Sequence, residues 1–89
     1  MWVKVSGMDE GHNKGIIMEC ITSTQNGFEE AGSNINTGMS ISIFGQLFLK
    51  GKFDEIGVVA PEACVPCADF FEELAKRNML VYQDGKRIN

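Results

Sequence analysis

Thr37-Gly38-Met39-Ser40-Ile41-Ser42-Ile43-Phe44-Gly45-Gln46-Leu47-Phe48-Leu49-Lys50-Gly51 carries the strongest periodic signal in the chain. Met39, Ile43, Phe44, Leu47 and Phe48 recur at helical spacing, and Ile41 widens the stripe. The stretch therefore predicts a helix buried over much of its surface. Thr37 is the expected N-cap, its hydroxyl accepting a backbone N–H of the first turn. Gly45 inside the helix predicts close packing on a neighbour. Lys50-Gly51 supplies a basic last turn and a glycine stop.

Upstream, the pattern changes period. Residues 2–6 alternate, with Val3 and Val5 on one face and Lys4 and Ser6 on the other, as in a half-buried strand. Residues 7–14 are rich in Gly, Asp and Asn and predict a loop. Residues 15–24 carry Ile16, Ile17, Met18, Cys20 and Ile21, whose β-branched content predicts a longer strand paired antiparallel with the first. Residues 25–36 predict an irregular crossover.

Downstream, Val58-Val59 is apolar but too short to classify. A second helix is expected from Pro66 or Cys67. In it Phe70, Phe71 and Leu74 point inward, while Glu72/Lys76 and Glu73/Arg77 pair at i,i+4 on the outside. Asn78 stands where a left-handed C-cap is wanted. Leu80-Val81-Tyr82 predicts a final strand, Asp84-Gly85 a turn, and residues 86–89 a polar tail. The expected fold class is α+β: a small antiparallel sheet of two or three strands with two amphipathic helices packed on one face. So small a sheet is weak alone, so oligomerisation or the rest of a larger sheet is expected.

Composition narrows the function. At 89 residues one domain is the ceiling, and a chain this size buries only about 60% of its unfolded surface. Eight basic against twelve acidic side chains give a net charge of −4 with no basic block, which sets nucleic acid aside. No apolar run is long enough to span a bilayer, and residues 1–5 do not read as a signal peptide. Three cysteines make no secreted disulfide framework, so a cytoplasmic setting is expected.

Cys64-Val65-Pro66-Cys67 is the sharpest single motif. It stands ahead of a helix, where a thiol's pKa is lowered and its thiolate made reactive. A thioredoxin-like fold, however, needs more sheet after that helix and a later proline, and no proline follows Pro66. A helix-cap proline flanked by small residues is the simpler reading. Cys64, Cys67, Cys20 and His12 could in principle form a metal set, but one Cys-x-x-Cys without a second pair is a weak zinc signal. A stand-alone redox or metal-binding module using Cys64 and Cys67 is the alternative function. The lone histidine leaves no Ser-His-Asp set for nucleophilic hydrolysis.

The order of short motifs along the chain is more specific than any one of them. Residues 3–5 and 16–22 as strands, Thr37-Gly38, Gly51-Lys52, Gly57-Val58-Val59-Ala60-Pro61-Glu62, and the helix with Phe71-Glu72-Glu73-Leu74-Ala75-Lys76-Arg77 follow one another over most of the chain. In that order it resembles the C-terminal region of the saccharopine dehydrogenase family. Ser40 stands where the family's usual proline follows Thr-Gly-x, and residues 25–36 depart from its pattern. The resemblance implies that residues 1–89 are the C-terminal domain of an NAD(P)-dependent oxidoreductase of lysine metabolism. Such a parent interconverts amine and imine on amino-acid-derived substrates by hydride transfer. It also implies a sheet used for substrate binding and dimerisation. The expected partners are the rest of the parent enzyme, or a second copy through sheet edges, and a small amino-acid-derived substrate. Glu62 enters as a substrate-binding candidate through the resemblance.

Thr37-Gly38 is the other substrate-binding candidate, because a helix start offers free N–H groups to an anion; an ordinary N-cap is the competing reading. No catalytic residue is assigned. No Gly-x-Gly-x-x-Gly turn occurs, so no cofactor is expected on this chain itself, and alone it is expected to be inactive.

Overall fold

The computed structural model describes residues 1–89. Two strands, β1 (Trp2–Asp9) and β2 (His12–Thr22), lead to the long helix α1 (Asn34–Leu49). A single-turn helix α2 (Pro61–Cys64), helix α3 (Cys67–Lys76) and strands β3 (Met79–Gln83) and β4 (Lys86–Arg87) complete the chain. The four strands form one antiparallel sheet in the order β1-β2-β3-β4. The fold is α+β as expected, with one strand more than the two or three expected.

The first hairpin is longer than its composition indicates. Residues 7–14 are not a loop: β1 and β2 stay in register through Gly7↔Lys14, Met8↔Asn13 and Asp9↔His12. Only Glu10 and Gly11 turn, at φ 49° and 81°, the paired positive angles of a tight two-residue hairpin. Asp84 and Gly85 repeat the device at φ 50° and 80°. Residues 86–87 therefore return as β4 rather than forming a free tail. Asn89 fastens that end. Its side-chain amide donates to the carbonyls of Phe71 and Met79, at 3.1 and 3.0 Å, and its Oδ1 accepts the Val81 N–H at 2.8 Å.

The helices lie over β3. Ile35, Met39, Ile43 and Leu47 recur every four residues along α1 and make its inward stripe. Ile43 and Leu47 meet Leu74 of α3 and Met79 and Val81 of β3, and these five form the core. Phe70 and Phe71 pack against it from α3, as the helical spacing indicates. Two expectations for α1 fail. Ile41 and Phe48 are exposed, because the stripe toward α3 is narrow. Gly45 has no neighbour within 4 Å of where a Cβ would stand, so it does not mark a close approach.

α1 also starts earlier than expected. Its N-cap position is Ser33, and Thr37 lies one turn inside the helix. The buried Ile35 explains the shift, since the first inward contact of α1 precedes Thr37. At the other end Gly51 at φ 69° stops α1, and Asn78 at φ 55° stops α3, both as expected. Val58-Val59 belongs to no regular element.

Most of the sheet has no cover. The molecule is 19 Å thin against extents of 46 and 35 Å, which is one helix layer on one sheet. By register, Val3 and Val5 share the face of Met18, Cys20, Val81 and Met79, yet the helices do not reach them. The opposite face carries Trp2, Met8, Ile17 and Ile21, all exposed. Only seven residues are buried in all, which leaves apolar surface looking for a partner. No helix is long and apolar enough to cross a membrane.

Candidate functional site

A hollow lies between α1 and the α2–α3 segment. Its volume is about 470 Å³, and Ile41, Phe44, Val65, Phe70 and Phe71 give it apolar walls. Ser40, Glu62 and Cys67 also line it, with almost none of their polar surface turned inward. The local sequence explains the arrangement. Pro61 at the first position of α2 fixes the backbone at the start of that turn, and Val65-Pro66 in extended conformation separates α2 from α3. The break leaves a gap that α1 faces with Ser40, Ile41 and Phe44. An apolar concavity of this size is large enough to receive part of a small molecule.

The expected site residues fall unevenly around it. Glu62 lines the hollow and is exposed. Thr37 and Gly38 do not line it. Thr37 sits one turn before Ile41 on the same helical stripe, exposed, as is Gly38. The expected anion cradle at Thr37-Gly38 does not form, because the helix start lies at Ser33. Near that start, the amides of Asn34 and Asn36 already donate to the carbonyls of Ala31 and Ser33 at 3.0 and 3.2 Å. Ser40 was recognisable in the sequence only as a departure from a proline. Its hydroxyl donates to the Asn36 carbonyl at 2.7 Å. Ile41 and Phe44 are read from the sequence as core, and nothing in the helical pattern separates a core position from a cavity wall.

The two cysteines of the Cys-x-Pro-Cys motif part company. Cys67 opens α3 and lines the main hollow. Cys64 lines a neighbouring one of about 350 Å³, walled by Phe44, Phe48 and Phe53. The Cys64 thiol lies 3.8 Å from the Pro61 carbonyl, and both cysteines are free thiols. His12 lies beside the first hairpin turn, and Cys20, within β2, packs against the core cluster. No three His, Cys, Asp or Glu side chains stand close enough to hold a metal ion.

One carboxylate within a charged cluster is buried, and the sequence misplaces it. Glu73 is expected on the outer face of α3, but it is only 7% exposed. Helical spacing sets it beside Arg77, while α1 closes over it from the other side. Arg77 Nη1 donates to Glu73 Oε2 at 2.7 Å, Lys76 Nζ to Oε1 at 2.9 Å, and Lys50 Nζ of α1's end lies 3.5 Å from Oε1. Arg77 Nη2 donates to Gln46 Oε1 at 2.9 Å, so the cluster ties α1 to α3. The Arg77 and Lys76 hydrogen bonds hold the Glu73 carboxyl down at about 2. The Glu72 and Glu73 carboxylates in turn raise Lys76. With every oxygen committed to a cation on the protein, Glu73 clasps two helices and is not free for a ligand.

No protein-family model, curated protein or solved structure matches the chain.

Proposed function

We propose that this chain is the C-terminal, substrate-side portion of a saccharopine dehydrogenase-like oxidoreductase, and that the hollow between α1 and α2–α3 receives part of an amino-acid-derived amine. The observation that carries the reading is a juxtaposition. Glu62, singled out by the Gly57-to-Glu62 motif, and Ser40, two residues after Thr37-Gly38, border one hollow with otherwise apolar walls. A carboxylate there attracts an ammonium group. A hydroxyl orients a polar atom, and Phe44 and Phe70 cover an aliphatic chain.

The hydride chemistry belongs to a nucleotide-binding half. The lack of a Gly-rich strand-to-helix turn and an antiparallel sheet support placing the dinucleotide on that other half. This chain's share of the work is to hold and orient the substrate. The uncovered sheet supports the second half of the reading, a surface for dimerisation.

A titration of the isotope-labelled chain with a secondary amine joining two amino acids tests the site. Amide signals of Ser40, Ile41 and Glu62 should move saturably, with dissociation constants on the order of 1 mM for half a site. Glu62→Gln should weaken the effect several-fold. Signals that stay still throughout, or that move only around residues 2–9, contradict the assignment.

A further inference from the structure

We propose that β1 pairs with β1 of a second copy, antiparallel and centred on Val5, doubling the four-stranded sheet across a two-fold axis. The inference deepens the dimerisation half of the proposed function and rests on it, but its observations are the strand's own.

The two edges of the sheet differ. At one edge β4 is only two residues long, Lys86–Arg87, both charged and exposed, which is how natural sheets prevent further pairing. At the other edge β1 runs for eight residues with no proline, and every one of them is exposed. Trp2 is 66% exposed and Val5 63%. Lys4 and Asp9 are its only charged residues, so over most of its length the edge is left unguarded.

The hydrogen-bonding phase of β1 fixes what that edge offers. The Met1 carbonyl accepts the Cys20 N–H at 2.8 Å, and the Met1 amine donates to the Cys20 carbonyl at 3.1 Å. Met1 and Cys20 thus exchange both bonds. In an antiparallel pair this property alternates. Val3, Val5, Gly7 and Asp9 therefore turn their amides toward β2. Trp2, Lys4, Ser6 and Met8 turn theirs outward and leave them unpaired.

A second copy satisfies this set in one register. With Val5 opposite Val5, Lys4 stands opposite Ser6 and Trp2 opposite Met8, and the reverse holds across the axis. Every outward residue then meets an outward residue, so all the free N–H and C=O groups of the edge are paired. On the helix side, Val3 and Val5 of both strands make one apolar strip continuous with Ile16 and Met18. On the other side, Trp2 meets a Met thioether, a favourable sulfur–aromatic contact. The neighbouring registers are worse. Centring on Lys4 sets Lys4 against Lys4, a like-charge pair. Centring on Ser6 sets Lys4 against Met8 and strands Trp2 opposite the turn residue Glu10. The favoured arrangement is isologous and closes on itself, so it yields a dimer and no fibre.

The test uses the full chain. Light scattering after gel filtration should give twice the 9.8 kDa mass. Ser6→Pro removes an outward N–H only, a position where an edge strand tolerates proline. It should give a monomer with an unchanged circular dichroism spectrum. With Cys64 and Cys67 replaced by Ser, Val5→Cys should close an intermolecular disulfide under mild oxidation, since a non-hydrogen-bonded pair sets its Cα atoms at about 4.5 Å. Ser6→Cys and Lys4→Cys should link roughly tenfold more slowly. A monomeric native chain overturns the proposal. So does a Ser6→Cys or Lys4→Cys variant that links as fast as Val5→Cys. Either result leaves the substrate titration untouched, so the two readings fail separately.

Discussion

Leu47 and Leu49 lie two residues apart on α1 and offer a controlled test of how the helix layer packs. Leu47 is 2% exposed and touches the cluster of Ile43, Leu74, Met79 and Val81; Leu49 is 85% exposed. Leu47→Ala removes a buried branched side chain, which costs about 3 kcal/mol in lost transfer energy and residual cavity. Leu49→Ala deletes the same atoms from a site already in water and should stay within about 0.5 kcal/mol. A domain of this size holds roughly 4–13 kcal/mol of stability, so Leu47→Ala removes a large fraction of it. The midpoint of thermal unfolding should fall by about 12–24 °C for Leu47→Ala and barely move for Leu49→Ala. Both are read by circular dichroism at one fixed protein concentration, because dimerisation makes stability concentration-dependent. Equal losses for the two variants, or a loss under about 1 kcal/mol for Leu47→Ala, would refute the packing described.

Other consequences follow from the same contacts. Glu73 is held at about 2 in the folded chain against an ordinary value of 4.5, so its contribution is complete above pH 4.5 and disappears as the pH falls through 2. Urea midpoints across that window should drop in the native chain and flatten in Glu73→Gln. Asn89→Ala leaves the Phe71 and Met79 carbonyls and the Val81 N–H without their partner and should destabilise by about 1–3 kcal/mol, detected in the same melts. Gly11→Ala, at φ 81°, should cost about 1 kcal/mol while Gly7→Ala is close to neutral. Thiol titration should find Cys67 reacting ahead of Cys64 and Cys20, in order of exposure, and no disulfide between Cys64 and Cys67 in glutathione buffers. A reduction potential near that of thioredoxin would favour the redox module instead.

Local chemistry explains what the sequence discloses and what it withholds. Gly51, Asn78 and Asp84-Gly85 are legible because each needs a left-handed backbone, a property of the residue itself. The α3 stripe is legible because Leu74, Phe70 and Phe71 face one neighbour. Glu73 is not, since its burial comes from α1 lying alongside, which periodicity within α3 does not encode. The first hairpin is under-read because Gly7, Asn13 and Lys14 have loop chemistry yet are carried as strand by pairing across the turn. The start of α1 is misread because Thr37-Gly38 offers a good cap, while the contact made by Ile35 begins the helix earlier. In the site, Glu62 is found through a motif, whereas Ile41 and Phe44 look like core. Whether an apolar helical residue faces a filled or an open space depends on α2 and α3, some twenty residues further on.

The reading of this chain as the substrate-side part of a larger oxidoreductase is tested most directly by the size of the native polypeptide. An antibody raised against residues 1–89 should detect, in the cells that make it, a polypeptide several times the 9.8 kDa of this chain. That polypeptide should carry a nucleotide-binding half and be retained on an immobilised nicotinamide dinucleotide. A species of this chain's own mass that passes through such a column would contradict the account, and the thiols of Cys64 and Cys67 would become the next place to look for chemistry.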